Sequence, residues 1–396
     1  MQLNISHKKM ADGLYYAAYT LYVFCGVFAY SMISYDIGFQ GIHKYAKLVS
    51  LLLVCARFLL ITERQKSLLY WICGFFVTLV LVVLAMESTI PIFVIFITVG
   101  AFGADPKLLA KIYFVISAFI LSVSMVLSQI GIIEDRTFPR PGSNVLRHSM
   151  GMKYITIWAA LMFFLIAVYI YIRGLSITKK EIAVLFGITL FTYVMANSRL
   201  EFMAMLVLLA AVLFYKKLRK SRLVQNIMTY SFLIGFGISF LLTFAYMLFP
   251  AQLAGLDDVF SDRLSLSAQG IEEYGFSLFG EVIPMQGYGE IEFDWSKGYF
   301  FLDSFYINYT LQYGLVFAVL LLVFITIISV QLKKKKNTWL LMFVFFAAMH
   351  GVIISSIMAV EMCPFFVIAV AGATSNIQEL PFDLKRLRKK RIRVVI

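Results

Sequence analysis

Arginine carries the first chemical signal in this sequence. Arg140, Arg147, Arg199 and Arg263 stand at or beside the ends of long apolar runs, and a planar guanidinium suits the paired oxygens of a phosphate. Arg199 is the most informative. Asn197-Ser198-Arg199-Leu200-Glu201 is all that separates two apolar runs, so the cation is held close to a layer where charge is costly without a partner. A pair with Glu201, or snorkelling to lipid headgroups, would also satisfy it, just as a loop salt bridge to Asp262 or Glu272 would satisfy Arg263.

His148, at a membrane boundary, could accept a proton from a hydroxyl, and Glu272 or Asp303 could serve as a general base. Glu273 and Glu361 are further carboxylates, and any of these groups taken alone also fits a plain loop or interfacial residue. His350 lies midway along the apolar run 339–358, where an ionisable group is a functional candidate by default and a helix-to-helix hydrogen bond is the structural alternative. Tyr306, Tyr309 and Tyr313 suit either sugar stacking or an interfacial belt. No Gly-rich phosphate loop with its Lys, no His/Glu pair at helical spacing and no Ser nucleophile elbow occurs. Nucleotide-driven, metal-dependent and cofactor chemistry are therefore not expected, Asp257-Asp258 alone being a weak metal signal.

The elements that must position these groups follow from composition. The chain of 396 residues is 61% hydrophobic and 14% charged, too apolar for a soluble fold to cover its own surface. Apolar runs long enough to cross a core of about 30 Å recur with short polar breaks, and none alternates as a barrel strand would. An all-α polytopic membrane protein of about twelve transmembrane helices is expected, with spans near 14–33, 46–62, 68–86, 89–104, 112–131, 153–172, 181–197, 200–217, 227–249, 304–330, 338–358 and 362–375.

Counting alternate connections places 25 Lys and Arg on one side and 9 on the other. By the positive-inside rule both termini are cytoplasmic and the four arginines face outward, in a bacterial plasma membrane. The first apolar stretch has full span length and no small-residue cleavage pattern, so it is expected to remain as a span. Two outer connections are long, 132–152 and 250–302, and are where function is expected. The second, between the ninth and tenth helices, is rich in carboxylates and aromatics; a short helix from a Ser or Asp cap over 261–273 and repeated turns over 280–289 are expected there. The tail 376–396, with seven cations between Lys385 and Arg393, suits anionic lipid headgroups rather than nucleic acid. Cys25, Cys55, Cys73 and Cys363 lack paired or metal-type spacing and read as apolar residues. No internal repeat is evident, which weighs against a twofold transporter.

Several short stretches, in order, resemble the O-antigen ligase and Wzy-type polysaccharide polymerase family, particularly its Gram-positive capsule branch, over roughly the second two-thirds of the chain. Arg147-His148-Ser149-Met150-Gly151-Met152 resembles its Arg-His-Ser-Leu-Gly-Phe, Ser198-Arg199 its outer Ser-Arg, and Ser261-Asp262-Arg263 its Ser-Gly-Arg at the head of the large loop. Leu278-Phe279-Gly280 and Gly287-Tyr288-Gly289 resemble its glycine turns, and 303–314 its passage from Asp-Asn-Ser-Tyr to Tyr-Gly. Arg140 and Gly151 stand in an Arg-x10-Gly spacing like that of some polymerases. Two positions depart: Tyr154-Ile155-Thr156 stands where His-Pro-Asn is common, and Asp262 replaces the glycine of Ser-Gly-Arg.

The resemblance implies a metal-independent glycosyltransferase that joins undecaprenyl-diphosphate-linked oligosaccharide repeat units into surface polysaccharide on the outer face of the membrane. Arg147, Arg199, Arg263 and Arg140 would hold the departing diphosphate, and Glu272, His148 and Asp303, in that order, would be the candidates to take the proton of the acceptor sugar's hydroxyl. The expected partners are the lipid-linked oligosaccharide, a flippase and a chain-length regulator. A ligase passing the chain to another acceptor and a lipid-linked sugar flippase are the alternatives.

Overall fold

In lipid every backbone polar group has to be satisfied within its own segment, so the long runs of Leu, Ile, Val and Phe fold as helices. The computed structural model describes residues 2–60, 75, 78–85, 90–139, 145–287, 296 and 298–375. The tail 376–396, most of the third expected span, Cys73, Arg140 and the turn residues Tyr288 and Gly289 lie outside them.

The first half of the chain forms α1 (Gln2–Ala29), α2 (Met32–Asp36), α3 (Gln40–Leu60), α4 (Ile90–Gly100), α5 (Pro106–Gln129), a two-stranded hairpin of β1 (Thr137–Pro139) and β2 (Leu146–His148), and α6 (Ile155–Arg173). The second half forms α7 (Lys179–Ala196), α8 (Arg199–Leu218), α9 (Arg222–Thr229), α10 (Ser231–Leu248), α11 (Pro250–Phe260), α12 (Arg263–Tyr274), α13 (Phe305–Lys334), α14 (Thr338–His350) and α15 (Phe365–Thr374). Among the described residues, Pro106–Gln129, Ile155–Ser176, Ser231–Leu248 and Phe305–Lys334 are long and apolar enough to cross a membrane. The fold is thus helical and membrane-embedded.

Three apolar helices are too short to cross alone. Ile90–Gly100 and Phe365–Thr374 have 11 and 10 residues, reaching only about 15 Å at 1.5 Å per residue. Thr338–His350 stops well before residue 358, where the sequence suggests the span ends. Gly351 to Ile353 form a turn and Ser355–Met358 a 3-10 helix, so this part of the chain is irregular backbone beside a cavity rather than helix. Such backbone is tolerated at membrane depth where protein or a cavity surrounds it.

α13 is interrupted. Gly314 has φ 83° and ψ 162°, a region open in practice only to glycine, and the break leaves a first segment, 305–313, and a second, 315–334. The released backbone groups are taken up by the large loop: Leu315 and Val316 N–H donate to the Ser277 and Leu278 carbonyls, and Glu281 N–H donates to that of Gln312, at 3.0, 3.2 and 3.2 Å. Contact is so close that a Cβ on Gly280 would lie 2.0 Å from the Gln312 oxygen. Ile271, Ile283 and Leu302 of the loop share a small core with Ile307 and Leu311 of α13.

The helix expected over 261–273 is α12. Its first turn is capped by the buried Asp257, whose Oδ1 accepts from the N–H of Leu264 at 2.8 Å and of Ser265 at 3.3 Å, rather than by Ser261 or Asp262. Removing this cap with Asp257→Ala is expected to cost about 0.5–2 kcal/mol, read as a lower unfolding midpoint in detergent. Ser261 and Asp262 both adopt the left-handed region, at φ 57° and 61°. Asp262→Gly relieves that conformation and should stabilise the fold by about 0.5–1 kcal/mol.

Asp262 also adds a pH dependence. Burial, then Asp257 and Asp258, raise its carboxyl above the ordinary value of 3.8, against the pull of Arg263. The folded state therefore binds this proton more tightly. The contribution is fully present below 3.8 and is lost as pH rises through the folded value. The stability gain of Asp262→Gly is accordingly expected to be larger at pH 7 than at pH 3, and equal gains at both would contradict this.

Candidate functional site

A cavity of about 690 Å³, within the usual size range for small-molecule sites, lies where the end of α1, α3, the stretch 147–160, the α7–α8 junction, the large loop and the turn after α14 converge. Each connection that lines it belongs to the side that the cation count places outside. None of the Lys- and Arg-rich connections contributes to it.

The cations on its wall are Lys47, Arg147, Lys153, Arg199 and Arg263, against the carboxylates Glu201, Asp303 and Glu361. Arg263 owes its direction to the two left-handed residues before it. Its Nε donates to the Ile353 carbonyl at 2.9 Å and Nη1 to that of Phe260 at 2.8 Å, and Nη2 lies 3.4 Å from Asp303 Oδ2. Asp303 is the partner, instead of Asp262 or Glu272. Burial raises the Asp303 carboxyl and Arg263 opposes the shift.

Arg147 is placed by β2. One guanidinium nitrogen donates weakly to the Pro139 carbonyl at 3.5 Å, and Nε is buried without a partner. Arg199 begins α8 after Ser198, two residues beyond the left-handed Asn197. It is exposed and has no protein partner among the described residues. In particular it does not pair with Glu201, whose Oε1 lies 3.2 Å from His350 Nε2 instead. Lys47 lies 3.5 Å from Glu361. Arg147, Lys153 and Arg199 thus have no carboxylate partner among the described residues, a surplus of positive charge suited to a polyanion such as a diphosphate.

Four of the site residues expected from sequence, Arg147, Arg199, Arg263 and Asp303, therefore line one cavity. His148 and Glu272 do not. His148 Nδ1 is 2.7 Å from Asp135 Oδ2, and Asp135 Oδ1 also accepts from Met150 N–H at 2.8 Å, so the histidine ties the hairpin to the preceding loop. Glu272 is exposed on the far side of α12. Arg140 lies outside the described residues.

Lys47, Lys153 and His43 were not singled out in the sequence, although a lysine within the apolar run 46–62 is itself a signal, and Glu201 appeared there only as a partner for Arg199. Glu361 appeared there only as one carboxylate among several. Of the three tyrosines, Tyr309 and Tyr313 line the cavity with ring centroids 4.5 Å apart. Tyr306 is buried behind them, its hydroxyl donating to the Ala348 carbonyl at 2.8 Å. The wall thus combines anion-binding groups, carboxylates able to accept hydroxyl protons, and aromatic faces.

Comparison of the chain with protein-family models, curated proteins and solved structures gives no match.

Proposed function

We propose that the chain is a membrane glycosyltransferase that polymerises lipid-diphosphate-linked oligosaccharide repeat units, the carrier being undecaprenyl diphosphate, on the outer face of a bacterial plasma membrane. The observation that carries this reading is the convergence of Arg147, Arg199 and Arg263, from three separate connections, on one cavity that also holds Asp303. A twelve-span topology with both termini inside would place that cavity at the outer surface.

A hydroxyl of one repeat unit attacks the anomeric carbon of another while the bond from that carbon to the diphosphate oxygen breaks, the electron pair leaving with the diphosphate. Charge grows on the leaving group, and preorganised cations in a cavity of low dielectric stabilise that growth. Arg199 and Arg147 are the groups with hydrogen-bonding capacity to spare. Arg263, clamped by two carbonyls and Asp303, is the rigid one. Tyr309 and Tyr313 offer faces to the sugar rings. This arrangement works through side-chain cations and asks for no metal.

The likeness of the Ser261-Asp262-Arg263 stretch to Ser-Gly-Arg adds support, because position 262 has the positive φ that glycine favours. Lipid-linked repeat units must arrive already flipped outward and their length must be limited, so a flippase and a chain-length regulator are the partners this reading implies.

A transporter is the second reading, and one observation favours it. Arg57 is buried with Nη2 3.3 Å from Asp12 and 2.8 Å from the Phe102 carbonyl, and buried intramembrane charges commonly mark transport paths. Surface polysaccharide from a strain lacking the gene and from the complemented strain, compared on a gel, separates the readings. Single repeat units in place of long chains are expected; long unattached chains would indicate a ligase, and units retained on the inner leaflet a flippase.

A further inference from the structure

The three carboxylates on the cavity differ in the partner each has been given. Asp303 faces the guanidinium of Arg263 and Glu361 the ammonium of Lys47, both lasting cations. Glu201 faces an imidazole, a group that can itself take up a proton.

Glu201 lies in the first turn of α8 and His350 ends α14, so two helix termini bring them together. Both are almost wholly buried, with side-chain exposures of 4% and 0%. The contact of 3.2 Å is out of line for a hydrogen bond, and His350 Nδ1 and Glu201 Oε2 have no partner among the described residues. From α6 the rings of Phe163 and Phe164 face the imidazole, with centroids 4.5 and 5.0 Å away. Arg199 stands two residues before Glu201. Leaving polar atoms buried and unpaired is costly, more so than a pair kept only for stability should be. Glu201 lines the cavity and His350 stands behind it.

We propose that Glu201 is the proton acceptor for the attacking hydroxyl and that His350 is a positioning residue that shares the proton. This rests on the glycosyl-transfer reading. As the new carbon–oxygen bond forms and the diphosphate departs with its electron pair, the hydroxyl proton passes to the Glu201 carboxylate. A small turn of the imidazole brings Nε2 into line with Oε1, and the two share the proton until the product leaves and the proton returns to solvent.

The test uses the full-length purified protein with lipid-linked repeat units as substrate and sugar-free undecaprenyl diphosphate as a binding probe. Glu201→Gln is expected to slow elongation by about 10²–10⁴-fold while diphosphate binding stays at the wild-type level. His350→Gln should slow it less and move the acidic limb of the kcat profile, and the double variant should be no slower than Glu201→Gln alone, since the two act as a unit. Glu201→Asp, which keeps the charge on a shorter arm, should regain part of the rate and guards against misfolding as the cause.

Elongation by Glu201→Gln at the wild-type rate overturns the proposal alone. So does a pH profile that His350→Gln leaves unmoved, or additive losses in the double variant. A wild type that neither binds the diphosphate nor elongates overturns the glycosyl-transfer reading and this proposal together.

Discussion

Arg263→Ala is expected to lower chain elongation by about 10²–10³-fold, the usual loss when one preorganised donor to a developing anion is removed, with the protein still reaching the membrane. It should also lower the unfolding midpoint, because the Ile353 and Phe260 carbonyls and Asp303 lose their shared donor. Arg199→Ala separates the two effects. With no protein partner among the described residues to abandon, it should reduce elongation without a comparable thermal shift. Arg263→Lys should not rescue, since an ammonium cannot reproduce three contacts made by a planar fork. Polymer of normal length from Arg263→Ala would remove this residue from the site.

The second large effect is expected at the break in α13. An alanine at Gly314 would bring its Cβ within 2.4 Å of Gly280 N and 2.5 Å of the Leu278 oxygen, in a backbone region that costs about 1–3 kcal/mol for other residues before any clash is counted. The hydrogen bonds from Leu315 and Val316 to the loop would part, freeing the segment that leads into Asp303. Gly314→Ala should therefore abolish elongation and expose the large loop to limited proteolysis from outside, and Gly280→Ala should behave alike. Protection and activity equal to wild type in both variants would refute the interlock.

Much of the arginine placement was legible, because a guanidinium beside an apolar layer needs a reason to be there. Direction was less so, yet local geometry explains it. Arg147 and His148 are neighbours on a strand and must point to opposite faces; with Arg147 in the cavity, His148 turns to Asp135. Arg263 and Glu272 are nine positions apart on one helix, two and a half turns at about 3.6 residues per turn, so they too face opposite ways.

Lys47 and Glu361 were illegible as a pair because one lies on α3 and the other after α14. The short length of the fourth and last spans is legible, and Ile90–Gly100 has 11 residues. The turn after His350 is apolar enough to read as a continuation of its helix, but buried protein contacts surround it and permit irregular backbone.

The most direct test of the account is reconstitution of the purified chain in lipid vesicles with lipid-diphosphate-linked repeat units as the sole substrate, followed by separation of the lipid-linked products by size. A ladder of chains lengthening by whole repeat units, absent with Arg263→Ala, is the result predicted. Substrate recovered as single units, but moved to the opposite leaflet, would contradict it.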